Sequence, residues 1–281
     1  MGIIDDMKLD IAGLKIDSLN KQELLDLMLE RIKTNQKTWV TTVYSEFLYA
    51  GLKGPTIMEM LNKADIAVPD GIGIFWAKRY LSLCLTVKNY WLKILQAFWQ
   101  AKYSLLAILL YPRWIKSAFP EKIVGADLVW DIAKMAGDND LSIYLLGGFG
   151  NTPNIVNSKL KAQNPKLKTA GCSNKNPDDI SLINDINQSA PDILFVAYGP
   201  IKQEKWIYEN LSKLPSVKLA MGVGGSFDYI AGKRLAPATI IRKIGLEWLW
   251  RLFTQPHRIR RISNATFGLI FRLIKYKAKS L

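Results

Sequence analysis

Asp192-Ile193-Leu194-Phe195-Val196-Ala197-Tyr198-Gly199-Pro200-Ile201-Lys202-Gln203-Glu204 is the stretch on which the fold turns. Its apolar run is too short for a helix of its own and stops at Gly199-Pro200, so it predicts a buried strand. A helix is expected around Glu204 to Leu211. The same unit recurs on either side. Upstream, Ser142 to Leu146 reads as a strand ending in Gly147-Gly148-Phe149-Gly150, with helices over Asp127 to Ala136 before it and over 153–163 after it. Downstream, Lys218 to Met221 ends in Gly222-Val223-Gly224-Gly225. Short apolar strands alternating with helices, each strand closed by glycine, indicate an α/β protein with a mostly parallel sheet flanked by helices. In such sheets ligands sit beyond the carboxyl ends of the strands, where glycine lets backbone amides approach a phosphate.

The N-terminal part carries the same rhythm less clearly. Lys8 to Ile16 reads as a strand region, and Asn20 with Glu23 three residues on predicts an N-capped helix whose buried stripe is Leu24, Leu25, Leu27, Met28 and Ile32. Thr38 to Val43 is a β-branched run and a buried strand. A helix over Thr56 to Lys63 leads to a strand over Ala64 to Val68, which stops at Pro69-Asp70-Gly71. A carboxylate at a strand tip, in a turn shaped by Pro and Gly, is well placed as a general base, although Asp-Gly is also common in plain turns. Asp138-Asn139-Asp140 has the acid-x-acid spacing that some sugar-nucleotide enzymes use for a metal, but it falls in the turn before a strand and reads as a solvated turn. Gly147-Gly148-Phe149-Gly150 is not G-x-G-x-x-G, so no dinucleotide site is expected.

Composition narrows the chemistry. The chain has 281 residues, 49% of them hydrophobic, which is ample for a packed core. With Cys84, Cys172 and the single histidine His257, it lacks the material for zinc clusters or most His-centred triads. Catalysis would have to use carboxylates, Arg, Lys, amides or backbone dipoles, and no cofactor is expected. Met1 to Asp6 is acidic and has neither the basic-then-apolar pattern of a signal peptide nor the Ser or Thr that would follow a myristoylated Gly2.

The net charge of +14 is concentrated. Gly232 to Leu281 holds twelve Lys or Arg against the single acid Glu247, and Arg79 to Lys122 holds seven against Glu121. Both blocks are also rich in Trp, Phe, Leu and Ile. Nucleic-acid-binding tails are usually basic and polar, so basic and apolar together point instead to an anionic membrane surface. Within Ser82 to Phe119, Asn89, Lys93, Gln96, Gln100 and Ser104 recur at helical spacing as a narrow polar stripe. Trp91, Ile94, Leu95, Phe98, Trp99, Leu105 and Leu106 fill the remainder. The pattern fits an in-plane membrane helix, against the plainer alternative of a helix buried in a domain or dimer interface. Tyr103 to Pro112, the longest uncharged run there, is about half the roughly 20 residues needed to span a bilayer.

In order, the motifs are Val68-Pro69-Asp70-Gly71-Ile72-Gly73, Val124-Gly125-Ala126-Asp127-Leu128, Leu145-Leu146-Gly147-Gly148, Tyr198-Gly199-Pro200-Ile201-Lys202-Gln203-Glu204, Val223-Gly224-Gly225-Ser226-Phe227-Asp228-Tyr229, and Gly245-Leu246-Glu247-Trp248-Leu249-Trp250-Arg251-Leu252 running into Pro256-His257-Arg258-Ile259-Arg260-Arg261. This series resembles the WecG/TagA/CpsF glycosyltransferases of bacterial surface-polymer synthesis, from about Thr41 to Arg261 apart from Ser82–Phe119. The resemblance implies the compact α/β fold called GT-E. It also implies an inverting, metal-independent transfer of N-acetylmannosamine, or a related sugar, from UDP to a polyprenyl-diphosphate-linked N-acetylglucosamine.

By motif, Asp70 matches the proposed base, Thr42 a site residue on the preceding strand, and Gln203, beside Glu204, a sugar-contacting amide. Gly71, Gly147, Gly148, Gly199, Gly224 and Gly225 are the strand-end glycines expected at the diphosphate. Arg251, Arg258 and Arg261 match arginines of a C-terminal appendage that closes over it. Three positions depart from the pattern: Tyr44 stands where many members have Asn, Lys122 where Arg is often found, and Leu235, next to Arg234, where Arg commonly precedes the last Ala-Pro pair.

The organisation expected is a transferase core over 1–81 and 120–243, a membrane-associated helical insertion over 82–119 and a basic appendage over 244–281. The location expected is the cytoplasmic face of the cell membrane, held peripherally, with a homo-oligomer compatible. Three rivals remain on the sequence alone: the same fold with another UDP-hexose, a non-catalytic membrane-bound protein that binds lipid-linked sugar, and a nucleic-acid-binding module that uses the basic tail as its contact surface.

Overall fold

The structure is a computed structural model, and it describes residues 8–235, 247–254 and 259–280. It opens with an antiparallel hairpin, β1 (Lys8–Ile11) and β2 (Leu14–Asp17), so the expected strand region folds back on itself at Ala12-Gly13. The main sheet is formed by β3 (Thr38–Val43), β4 (Ile66–Pro69), β5 (Ser142–Gly147), β6 (Lys168–Ser173), β7 (Ile193–Ala197) and β8 (Leu219–Gly222). These six strands are all parallel, in the order β4-β3-β8-β7-β5-β6. The α/β class and the strands that the glycine rhythm marks out are as expected. β6 is not legible in the sequence because it lies at the sheet edge, half exposed, and reads Lys-Thr-Ala-Gly-Cys-Ser with no apolar run.

Helices cover both faces. They are α1 (Lys21–Lys33), α2 (Ser45–Lys53), α3 (Pro55–Leu61), α4 (Ile72–Leu81), α5 (Tyr90–Leu110), α6 (Pro112–Lys116), α7 (Gly125–Asp138), α8 (Thr152–Gln163), α9 (Leu182–Ser189), α10 (Lys202–Asn210) and α11 (Ser226–Ala231). In the C-terminal part come α12 (Glu247–Thr254), α13 (Ile259–Ser263), a π-helical turn over Asn264–Gly268, and α14 (Leu269–Ser280). Helix α1 starts where its capping box puts it: Asn20 Oδ1 accepts from the Glu23 amide at 3.0 Å, and the Glu23 carboxylate accepts from the Asn20 amide at 2.8 Å.

Alternate residues of the inner strands feed opposite layers, as the period of two requires. In β7, Ile193, Phe195 and Ala197 pack with Leu24, Met28, Ile132 and Val156 on one face. Leu194 and Val196 pack with Trp39, Ile186, Trp206 and Ile207 on the other. With both faces covered, such strands are continuously apolar. A third cluster joins the hairpin, α2, α4, α5 and α14, through Ile11, Leu14, Phe47, Phe75, Tyr80, Ala97, Ala101, Leu273 and Ile274.

Helix α5 is built inside out. Its buried residues are Ala97, Ala101 and Ser104, a narrow seam against α4. Trp76 donates from Nε1 to Ser104 Oγ at 2.9 Å, and the Tyr80 hydroxyl donates to the Ala97 carbonyl at 3.1 Å. Gln96 holds Thr86, and Gln100 Nε2 donates to the Cys84 carbonyl at 2.7 Å. The polar stripe therefore faces the protein. Trp91, Leu92, Leu95, Phe98, Trp99, Tyr103, Leu106, Leu109 and Leu110 are exposed, Trp91 at 74% and Leu110 at 80%. No helix among the described residues is long and apolar enough to cross a membrane.

Helix α14 is equally tied in. Lys277 is buried, and its Nζ donates to the Tyr80 carbonyl at 2.6 Å and to Gln100 Oε1 at 2.7 Å. One side chain thus joins the end of α4 to both α5 and α14.

Candidate active site

A cavity of about 270 Å³ opens beyond the carboxyl ends of β3, β4 and β8. Thr42, Tyr44, Asp70, Gly71, Gln203, Gly224, Gly225 and Arg261 line it, so the structure brings these expected site residues together. Parallel register sets the first contacts: Thr42 pairs with Val68, and Val43 with Pro69, so Asp70 follows one step past the sheet. The Asp70 amide donates to the Val43 carbonyl at 2.7 Å and fixes the tip. Asp70 Oδ2 accepts from the Gly125 amide at 3.3 Å, the first peptide of α7. A Cβ on Gly125 would stand 3.2 Å from Thr42 Oγ1 and 3.6 Å from both Asp70 Oδ2 and Ser226 Oγ, so the bare backbone here makes room for three oxygens.

Helices α2, α4 and α7 all start at this cavity, at Tyr44, Gly71 and Val124, and none has a side-chain cap. Their N-terminal partial positive charges suit an anion. Arg234 and Arg261 add full charges. Arg261 Nε lies 2.7 Å from Glu46 Oε2 and Arg234 2.7 Å from Asp228 Oδ2. Arg234 is a lining residue that the motif reading only noted as a neighbour of Leu235. Ser45, Glu46 and Ser226 also line the cavity and had no distinct signal in the sequence.

Gln203 and Glu204 are hydrogen-bonded to each other, and Gln203 also to the loop after β8. The Gly224 amide donates to Gln203 Oε1 at 2.9 Å, and Gln203 Nε2 donates to Glu204 Oε1 at 3.1 Å. Glu204 is fully buried below the cavity and accepts from Trp39 Nε1 at 2.8 Å. Burial pushes its carboxyl up to about 7, against the pull of those hydrogen bonds. Gly222 must lack a side chain, because a Cβ there would stand 2.2 Å from Glu204 Oε1. The pair is launched by Ile201, a β-branched residue at φ +63°, with the Lys202 amide donating to the Pro200 carbonyl at 2.7 Å. That conformation costs about 1–3 kcal/mol and is held by packing.

The remaining expected residues lie elsewhere. Gly147 and Gly148 turn onto β7, and the Gly148 amide donates to the Ala197 carbonyl at 3.0 Å, so it is engaged in the sheet. Gly199 accepts from the Gln203 amide at 3.0 Å. Lys122 precedes Ile123, whose amide donates to the Pro69 carbonyl at 3.2 Å. None of these four, nor Glu204, is among the lining residues of the cavity. Arg258 lies outside the described residues, and Arg251 is described only as helical backbone. Asp140 is exposed and pairs with Lys168, as its reading as a solvated turn anticipates.

A carboxylate, two arginines and converging helix ends beyond a parallel sheet are the equipment for moving a group off a phosphate leaving group. The family model of the glycosyl transferase WecG/TagA/CpsF family matches residues 9–111 and 106–281. The chain belongs to this family. It is a glycosyltransferase. It is 25% identical over 279 residues, 97% of this chain and 94% of the relative, to an N-acetylglucosaminyldiphosphoundecaprenol N-acetyl-beta-D-mannosaminyltransferase of Staphylococcus aureus strain MRSA252. It is 27% identical over 225 residues, 79% and 74% of the two chains, to the enzyme of the same name from Bacillus subtilis strain 168. The two matched stretches overlap at residues 106–111, within α5.

Proposed function

We propose that this glycosyltransferase moves N-acetylmannosamine from a UDP donor to a polyprenyl-diphosphate-linked N-acetylglucosamine, with inversion and without a metal, at the membrane surface. The relatives' names supply the sugar and the acceptor. The observation that carries the mechanism is Asp70, a carboxylate at the rim of a cavity also lined by hydroxyls, Gln203, arginines and helix N-termini, where the second carboxylate, Glu46, is paired with Arg261. Asp70 takes the proton from the acceptor hydroxyl as its oxygen attacks the anomeric carbon, and the bond from that carbon to the UDP oxygen breaks on the opposite face. An α-linked donor then gives the β-linked product in the relatives' name. Charge developing on the departing UDP is met by Arg234, Arg261 and the ends of α2 and α4, which is why no metal is invoked. Thr42 and Ser226 supply hydroxyls for orienting the sugars.

The transfer assay uses UDP-N-acetylmannosamine, a prenyl-diphosphate N-acetylglucosamine acceptor and a chelator. The disaccharide should form in chelator, and Asp70→Asn should lower turnover by roughly 10²–10⁴ with donor affinity retained. No transfer from this donor, or near-normal turnover of the Asn variant, would overturn the substrate or the base respectively.

A further inference from the structure

We propose that the cavity above Asp70 continues into a groove for the first isoprene units of a prenyl diphosphate, between the second half of α5 and the start of α14. The proposal rests on the reading above for the chemistry of the acceptor. The cavity is lined by two unlike sets of side chains. Ser45, Asp70, Arg234 and Arg261 make up a polar and charged part of its lining, whereas Trp76, Leu105, Ile108, Ile262, Leu269 and Ile270 make up an apolar part. Trp76 Nε1 is already bonded to Ser104, so the apolar part offers hydrocarbon alone.

A nucleotide sugar and an acceptor sugar can lay only a base face and acetyl methyls along apolar side chains, too little for all six. An amphiphile with a diphosphate head and a branched hydrocarbon tail matches both parts at once. The helices explain how the apolar part stays open. Helices α5 and α14 are pinned together at Gln100 and Lys277, while Leu105 and Ile108 on one, and Leu269 and Ile270 on the other, line the cavity. The π-helical turn before α14 sets the small side chains Ala265 and Thr266 on the cavity, leaving space where a regular wall of large residues would fill it. Beside Ile108 the exposed Leu106, and past it Leu109 and Leu110, carry apolar surface outward along α5, so the rest of a long tail leaves toward the same face that would meet lipid.

The test titrates the full chain, by calorimetry, with geranylgeranyl diphosphate below its micelle concentration and with inorganic pyrophosphate. Wild type should bind the prenyl compound at least tenfold more tightly than pyrophosphate. Ile108→Asp, which puts a charge in the apolar part, and Ala265→Phe, which fills the space, should each weaken prenyl binding more than fivefold and leave pyrophosphate within twofold. Equal affinities in wild type, or prenyl binding untouched by both variants, would overturn the groove. If one variant loses both ligands through misfolding, the other decides. No sugar is present, so a protein that binds the prenyl compound tightly yet transfers no mannosamine keeps the groove and loses the function proposed above. Transfer that is indifferent to tail length, with no prenyl binding, does the reverse.

Discussion

Glu204 shows how far a residue's neighbours in space can depart from its neighbours in sequence. Next to Gln203 in a motif at a strand end, it is expected to face substrate, yet it turns down onto Trp39 and supports the loop from below. Its carboxyl is held near 7, above the ordinary 4.5, so the folded state prefers it protonated. The stability this gives is fully present below about pH 4.5 and lost as pH rises through 7. In urea denaturation between pH 5 and 8, wild type should therefore lose roughly 2 kcal/mol relative to Glu204→Gln. Parallel pH profiles for the two proteins would show that another group titrates there. Asp70 is the opposite case. Its place at the tip of β4 is legible from Val68-Pro69-Asp70-Gly71, because strand, Pro and Gly are all local signals, whereas the Gly125 amide that meets it comes from 55 residues away.

At the scale of elements, α5 reverses the usual relation between periodicity and burial. The sequence shows a narrow polar stripe but not which way it points. It points inward because its hydroxyl and amides have partners: Ser104 with Trp76, Gln96 with Thr86, and Gln100 with Cys84 and Lys277. The small side chains of Ala97 and Ala101 let α4 and α14 approach. What remains outside is a row of aromatic and aliphatic side chains with Lys102 over the Trp99 ring at 4.9 Å. We take this face to lie on anionic lipid, where each lysine nearby contributes about 1 kcal/mol. Vesicles containing phosphatidylglycerol should co-sediment the wild-type protein at low salt, less at high salt, and release a Trp91→Glu, Phe98→Glu double variant. Undiminished sedimentation of that variant would assign the face to a subunit contact instead, which sedimentation velocity would then reveal.

At the scale of the whole molecule, α14 packs into the core: Leu273 is fully buried in one cluster with Phe47, Phe75 and the hairpin residues Ile11 and Leu14. Arg261 reaches Glu46 across 215 residues of sequence, and Lys277 ties α14 to α4 and α5. Leu273→Ala should thus lower the unfolding free energy of the whole protein by about 2–5 kcal/mol, as buried leucines do. A loss below about 0.5 kcal/mol, within the range of surface substitutions, would mean that α14 sits on the core without stabilising it.

Strand and helix alternation, the capped start of α1, the tips carrying Thr42, Asp70 and Gly224, and the family itself follow from the sequence, since each rests on residues adjacent in the chain. The edge strand β6, the inward stripe of α5, the burial of Glu204, the Arg234 and Arg261 ion pairs and the mixed lining of the cavity belong to the tertiary structure alone. Each depends on a partner brought close only by folding, and neither hydrophobic periodicity nor a local motif records which distant backbone or side chain will satisfy a polar group once water has been excluded.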